Sequence, residues 1–356
     1  MSTKQELDAI LHRAAIAPLN DRAFLRVTGS DATRWLNGMV TNSVQALAPG
    51  EGCCNFLLNA QGRILGDCTI YRELGEPPTY LLETAASQVE ATQQHLDHFI
   101  IMDDVELSLG LQIVGHAAQG LTVVGATAPK LIHQLLSSIN EDDEVSPLPV
   151  PRPVSLTFAE LPDKPNLLFG KLTKGLIIVL VPPATSISSF ELWFEDEKDL
   201  KHIRQRAESA GATEVSPEAL EALRLIESRP LFGRDITERY LPQETNQPQA
   251  LHFNKGCYLG QEIVERIRSR GQVHRLLTPL TLTGKLPQEL PTPIESDGKP
   301  VGEITSAVLV PLPEGDQILA LGYVRREALD THAALTYPGG TAAPRAASKE
   351  LQTTTH

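Results

Sequence analysis

The chain has 356 residues, enough for two or three domains at roughly 100–200 residues each. Hydrophobic residues are 41% and charged residues 21%, which excludes a disordered chain and allows sizeable cores. The formal net charge of −13 argues against non-specific nucleic-acid binding, and the longest apolar run, Leu176 to Val181, is too short to cross a bilayer.

In chain order, Thr3 and Glu6 have capping-box spacing for a first helix with Leu7, Ile10 and Leu11 on one face. Phe24–Val27 reads as a strand. Ser30 is expected to cap a second helix whose Trp35, Leu36, Met39 and Val40 share a face. Cys53–Leu58 and Ile64–Tyr71 read as strands around the turn Asn59-Ala60-Gln61-Gly62, and Tyr80–Glu83 as another. Ser87 to Met102 reads as an amphipathic helix. Strands near Val105–Leu109 and Leu121–Val124 and a helix from Ala128 to Ile139 follow.

Residues 140–153 are acidic, then proline-rich, and read as a linker. Beyond it come strands near Val154–Phe158, Leu176–Val181 and Phe190–Phe194, then a helix from Asp196 to Ala210 stopped by Gly211. Ser216-Pro217 supplies cap and first turn for the next helix. From Arg275 onward, short strands between Gly/Pro turns predict a small β-barrel. The Ala/Thr/Ser-rich residues from Gly339 are expected to fray. The order of elements favours an α+β fold over a doubly wound parallel sheet. The expected division is 1–140, 154–274, a barrel over 275–338 and a flexible tail over 339–356.

The mixed charges of Met1 to Leu19 do not resemble a signal peptide. The four cysteines, Cys53, Cys54, Cys68 and Cys257, form no C-x-x-C pair and no zinc-site spacing, so no metal site is expected. Free thiols in a reducing cytoplasm are the simplest reading. The first three lie in apolar, strand-like stretches and suit small core residues.

Cys257 is different. It lies in Lys255-Gly256-Cys257-Tyr258-Leu259-Gly260-Gln261-Glu262, ahead of a helix-like segment. A thiol beside a lysine and a helix N-terminus gains thiolate character, and two glycines allow close backbone approach by a partner. An inert buried cysteine is the commonest fate of a lone Cys, but these flanks favour function.

Lys255 to Glu262 resembles the K-G-C-Y-x-G-Q-E signature of the YgfZ family of folate-binding proteins. Leu223 to Ile236, reading LRLIESRPLFGRDI, is similar to the aminomethyltransferase (T-protein) of the glycine cleavage system. Three weaker matches keep the same order: Leu36-Asn37-Gly38-Met39-Val40-Thr41-Asn42, Gly62-Arg63-Ile64-Leu65-Gly66-Asp67 and Gly302-Glu303-Ile304-Thr305-Ser306. The resemblance implies two α+β lobes around a folate channel, a terminal β-barrel, and tetrahydrofolate or a one-carbon derivative as cofactor. It also implies a role in iron–sulfur cluster assembly or repair, with client iron–sulfur proteins or a cluster carrier as partners. T-proteins carry an apolar or aromatic residue in place of Cys257 and usually two acids in place of Gly66-Asp67. The chain therefore stands nearer the YgfZ side.

The same resemblance places a pterin-binding glutamate at Glu227, where a carboxylate can accept two parallel hydrogen bonds. It also places an acid in the hairpin at Gly66 or Asp67. A one-residue shift there changes the face of the strand, and alternation puts Asp67 with Leu65 and Thr69. Arg266, Arg268, Arg270 and Arg275, with His274, form a basic stretch. Arg266 is the best candidate for the glutamate tail of a folate, against a solvated helix face or a partner surface. Thr41 and Asn42 could line the cavity as hydrogen-bonding groups. Tyr258 and Trp35 could stack on a pterin or pack in the core. Three rival functions remain: a folate-dependent aminomethyltransferase, a protein that modifies tRNA directly, and a binding module without chemistry.

Overall fold

The computed structural model describes residues 2–346 except 74, 111, 114–115, 118, 138–165, 172–175, 182–186, 195–196, 272 and 313–314. The linker over 140–153 and the strand expected at Val154–Phe158 lie outside the described residues. The helices are α1 (Thr3–His12), α2 (Ala32–Met39), α3 (Val89–Asp97), α4 (Ala128–Ser137), α5 (Glu197–Ser209), α6 (Pro217–Ile226), α7 (Gln261–Arg270) and α8 (Arg326–Asp330).

The strands, numbered along the chain, form two open sheets and a barrel. One sheet has the order β3 (Gly52–Leu58), β4 (Ile64–Arg72), β5 (Tyr80–Ala85), β2 (Arg22–Thr28), β6 (Glu106–Leu109). The second runs β10 (Asn166–Lys171), β11 (Leu176–Val181), β12 (Ser189–Phe194), β9 (Gln119–Val124), β1 (Ala15–Leu19), β13 (Thr213–Glu214). A closed barrel links β14 (Arg275–Gly284), β17 (Gly315–Arg325), β16 (Lys299–Leu312), β15 (Thr292–Ser296), β18 (Leu335–Tyr337) and β19 (Gly340–Pro344). A separate hairpin pairs β7 (Gln112–Ile113) with β8 (His116–Ala117). The architecture is the expected α+β class with a C-terminal barrel.

Alternation along the strands splits each sheet into two faces. The outer face of the five-stranded sheet, with Leu25, Val27, Cys68, Ile70 and Leu82, buries Trp35, Leu36 and Leu96 from α2 and α3. The outer face of the second sheet, with Ile16, Leu121, Val123 and Phe190, buries Leu131, Ile132 and Ile203 from α4 and α5. The inner faces meet. Phe24 of β2 packs edge-on against Trp193 of β12 with ring centroids 4.9 Å apart.

The expected lobe boundary near residue 140 needs correction. β1 and β9 lie inside the second sheet, so the segments Ala15–Leu19 and Gln119–Val124 pack with the later half of the chain. The five-stranded sheet uses only what lies between them. The expected frayed tail is also corrected. β19 pairs with β14 from Leu280↔Pro344 to Gly284↔Gly340, and it closes the barrel with Ala342 in its core.

Local differences have local causes. The cap of α1 sits one residue earlier than expected, where the Ser2 backbone N–H donates to Gln5 Oε1 at 3.0 Å. Ser30 does not cap α2; its hydroxyl donates to Asp104 Oδ2 at 2.7 Å, and Asp31 takes the cap position. That bond and the Arg34–Asp103 pair at 2.6 Å turn the chain away after α3, which ends at Asp97 and not at Met102. Ser216 caps α6 as expected, its Oγ accepting from the Ala219 N–H at 3.3 Å.

A buried polar cluster joins the second lobe to the barrel. Asp235, with no exposed surface, accepts from Arg224 Nη1 at 2.7 Å and from the hydroxyls of Thr305 and Ser306 at 2.6 and 2.7 Å. The Leu231 N–H adds a bond of 3.0 Å. Leaving one member of such a buried pair unpartnered costs about 3–5 kcal/mol. The G-x-x-T-S stretch thus supplies two hydroxyls that dock the barrel onto the LRLIESRPLFGRDI segment.

Candidate functional site: a clamped thiol loop and a buried polar cluster

Residues 249–259 are laid along the C-terminal end of α2. Thr41, fully buried, donates its hydroxyl to Ala250 O at 2.7 Å and accepts from the Phe56 N–H at 2.8 Å. Its carbonyl takes the His252 N–H at 3.1 Å. Asn42 Nδ2 donates to Gln249 O at 2.8 Å and to Cys54 O at 3.1 Å. The Leu259 N–H donates to Gly38 O at 3.0 Å. Lys255 buries its ammonium against the carbonyls of Val40 and Asn42, both at 2.6 Å. Burial pushes the Lys255 ammonium down to about 8.

These contacts bear on three expectations. Thr41 and Asn42 hold the loop, and the bonds above take up their side chains. Lys255 is committed to backbone carbonyls at a helix end, which are natural acceptors for a cation, and so anchors the loop in place of activating the thiol. Tyr258 is buried among Phe56, Leu58, Ile64, Ile236 and Val264, and burial raises its phenol to about 12. It packs as a core residue. Trp35 does likewise, with Nε1 donating to Phe99 O at 3.2 Å.

Two glycines make the loop possible. Gly256 has φ +92° and Gly260 φ +81°, both in the left-handed region. A Cβ on Gly260 would also lie 2.6 Å from Asn59 O and 3.3 Å from the Cα of Gly62. The Gly260 turn therefore stacks on the β3–β4 turn, so the Gly62–Asp67 and Lys255–Glu262 motifs meet in space. Gln261 closes the turn by accepting the Tyr258 N–H on Oε1 at 2.9 Å, and α7 begins there. Glu262 and Arg266 are exposed on α7. Arg268 lies over the Phe253 ring at 4.4 Å and pairs with Glu265 at 3.6 Å. Arg275 pairs with Glu244 at 2.9 Å. Of the four cysteines, Cys257 is the exposed one.

Register sets which face each hairpin residue takes. Asp67 pairs with Phe56 across the sheet and lies on the inner face. Gly66 lies on the other face, where a Cβ would meet Gln88 Oε1 at 3.2 Å and Thr92 Oγ1 at 3.7 Å. A register shift between Leu57 and Leu58 breaks the alternation, and Leu65 packs with the outer core, away from Asp67. Burial, partly offset by Arg22, raises the Asp67 carboxyl from 3.8 to about 6.

Asp67 belongs to a wider cluster that the sequence did not single out. Arg22 Nε lies 3.4 Å from Glu83 and 3.9 Å from Glu191, bridging the two sheets. Tyr71 donates to Glu83 Oε2 at 3.2 Å. Burial and the neighbouring Glu83 push the Glu191 carboxyl well up, so it holds its proton more tightly. Glu191 Oε2, Arg22 Nε and Trp193 Nε1 are buried with no hydrogen-bond partner among the described residues. The available signal was a lone charge inside an apolar strand, in YLLETA and SFELWF.

Glu227 is the C-cap of α6, and its side chain is almost fully buried. Its Oε1 accepts the Ile187 N–H at 3.0 Å, and Arg229 Nε lies 3.1 Å from Oε2. Ile187 precedes β12 and stands four residues before Glu191. At about 3.3 Å per residue, Glu227 and the inner-face cluster are bracketed by roughly 13 Å of chain.

Residues 1–150 match the family model described as the GCVT N-terminal domain. Over 98% of this chain and 89% of the other, the fold superposes on the glycine cleavage system aminomethyltransferase T from Bartonella henselae, with a TM-score of 0.77 and 16% identity. The fold is GcvT-like. The chain is 26% identical to an aminomethyltransferase of Synechocystis, over 91% of this chain and 81% of that one. It is also 26% identical to the mitochondrial iron–sulfur cluster assembly factor IBA57 homolog of Neosartorya fischeri, over 86% of this chain and 64% of that one. Relatives of both kinds thus match most of this chain.

The loop geometry predicts the order in which the cysteines react. Iodoacetamide at neutral pH should alkylate Cys257 first. Cys53 and Cys68 are buried, and burial holds the Cys54 thiol up at about 12. Peptide mapping of a time course checks this, and earlier labelling of Cys54 would mean that the loop shields Cys257.

Proposed function

We propose that this GcvT-like chain binds tetrahydrofolate or a one-carbon derivative and serves assembly or repair of iron–sulfur clusters in client enzymes, tRNA-modifying ones among them, in the cytoplasm. The observation that carries the reading is the exposed thiol of Cys257 on a loop whose backbone is fixed at both ends. A thiol held this way can meet a client protein or cluster carrier without unfolding anything. The similarity to an iron–sulfur cluster assembly factor supports it.

The residues present fit a folate. A pterin edge offers donors and acceptors together, and the inner faces of the sheets hold a carboxylate oxygen, a guanidinium N–H and an indole N–H with no hydrogen-bond partner among the described residues. In this reading Glu227 accepts from the amino-pyrimidine edge, exchanging its bond to the Ile187 N–H for ligand bonds. Arg229, itself 41% exposed, can swing aside. The exposed Arg266 then suits the anionic glutamate tail. When bound, the folate supplies the one-carbon carrier chemistry.

One observation favours a second reading, an aminomethyltransferase. Asp67 lies on the inner face of its sheet with a carboxyl raised to about 6, a value suited to proton exchange near neutral pH. Against it stand Gly66, packed under Gln88 and Thr92, and the presence of Cys257. Direct action on RNA is disfavoured by the net charge of −13.

Glu227→Gln exchanges an acceptor oxygen for a donor. The loss of a charged hydrogen bond costs about 1.5–3 kcal/mol, so calorimetry should show tetrahydrofolate binding weakened roughly ten- to a hundred-fold. Equal affinity for both proteins would remove Glu227 from the site.

The second reading has its own assay. With an aminomethylated carrier protein and tetrahydrofolate, the chain should release no ammonia above background. Robust turnover would promote the transferase reading over the accessory one.

A further inference from the structure

The end of α6 is held by a residue from the far end of the chain. Arg345 follows β19, and its backbone N–H donates to Pro279 O of β14 at 2.9 Å, fixing it to the barrel. Its guanidinium reaches back across the barrel–lobe boundary. Nη1 donates to Ile226 O at 3.1 Å, and Nη2 donates to Leu225 O and, at 3.1 Å, to Ser228 Oγ. These three acceptors flank Glu227 on both sides.

We propose that Arg345 is a positioning residue for Glu227: the guanidinium fixes the Leu225–Ser228 turn and so aims the Glu227 carboxylate into the ligand site. The proposal rests on the reading of Glu227 as a folate-binding residue. The last carbonyls of a helix have no intrahelical partner, and a cation there satisfies them and complements the helix dipole. Ser228 has φ +57°, a conformation that a non-glycine residue holds only when its surroundings impose it. Arg345 supplies that constraint through the Ser228 hydroxyl. Arg345 Nε is buried with no hydrogen-bond partner among the described residues, so desolvating this cation is offset mainly by the Glu227 turn itself.

The turn is thereby gripped from two directions. Arg224, one helical turn before Glu227, is tied to Asp235 and Ser306, while Arg345 closes the other side. A planar fork is needed to span two carbonyls and a hydroxyl, so lysine is a partial substitute at best.

A double-mutant cycle on the full chain tests this, reading tetrahydrofolate affinity by calorimetry and folding by thermal unfolding. Arg345→Ala should weaken binding about ten-fold, and Arg345→Lys by less. Arg345→Ala combined with Glu227→Gln should bind no more weakly than Glu227→Gln alone, because both act through one carboxylate. Additive losses, or unchanged affinity in Arg345→Ala while Glu227→Gln is weak, would overturn the positioning role. Unchanged affinity in Glu227→Gln would overturn the site itself and this proposal with it. If Arg345→Ala does not fold, Ser228→Ala removes one acceptor of the same fork and should weaken binding in the same non-additive way; additivity there would count equally against the proposal.

Discussion

Lys255 buries an ammonium against the carbonyls of Val40 and Asn42, and the geometry of the thiol loop depends on that contact. Taking a cation out of water is costly, and burial already draws the Lys255 ammonium down to about 8. The cost is offset by two short charged hydrogen bonds, to the C-cap carbonyl of α2 and to the carbonyl of Asn42 beyond it. Thr41 and Asn42 extend the same seam, so the segment from Asn37 to Asn42 is a template on which residues 249–259 are laid. Gly256 and Gly260 then let the chain reverse and leave Cys257 at the surface.

A second constraint acts on Glu227. The Arg224–Asp235 pair, with Thr305 and Ser306, fastens the end of α6 to the barrel. The barrel therefore does more than terminate the fold, since it sets where the helix end and its carboxylate stand. The loop and the helix end belong to different parts of the same frame. The template segment lies in the first lobe and the helix in the second, and the two sheets are bridged by Arg22 between Glu83 and Glu191.

Much of this was legible in the sequence because the devices are local. Ser216-Pro217 announces α6, the Asn59–Gly62 turn announces the hairpin, and the alternation from Arg275 announces the barrel. Motif order also pointed to the T-protein architecture. What escaped was non-local. Membership of β1 and β9 in the second sheet is a pairing between segments a hundred residues apart, which periodicity does not encode. β19 looked like a frayed tail because Ala and Thr give no apolar signal, yet its backbone closes the barrel. Thr41 and Asn42 were read as groups that could line a cavity because polar residues at a helix end suit that task; their bonds to residues 249–252 depend on a placement two hundred residues along the chain, which local pattern does not encode. Asp67 could be assigned a face only once its partner Phe56 fixed the register.

The account ranks Cys257 as the residue whose chemistry matters and the clamp as the means of presenting it. Replacing Cys257 with serine keeps the size of the side chain and removes a soft, ionisable sulfur. The most direct test is complementation of a deletion strain by Cys257→Ser, with aconitase-type and radical-SAM activities as readout and folate binding of the purified variant as control. The account predicts a folded variant that binds tetrahydrofolate like the parent and fails to restore the iron–sulfur activities. Full restoration by the serine variant would contradict it and leave the loop with a structural role only.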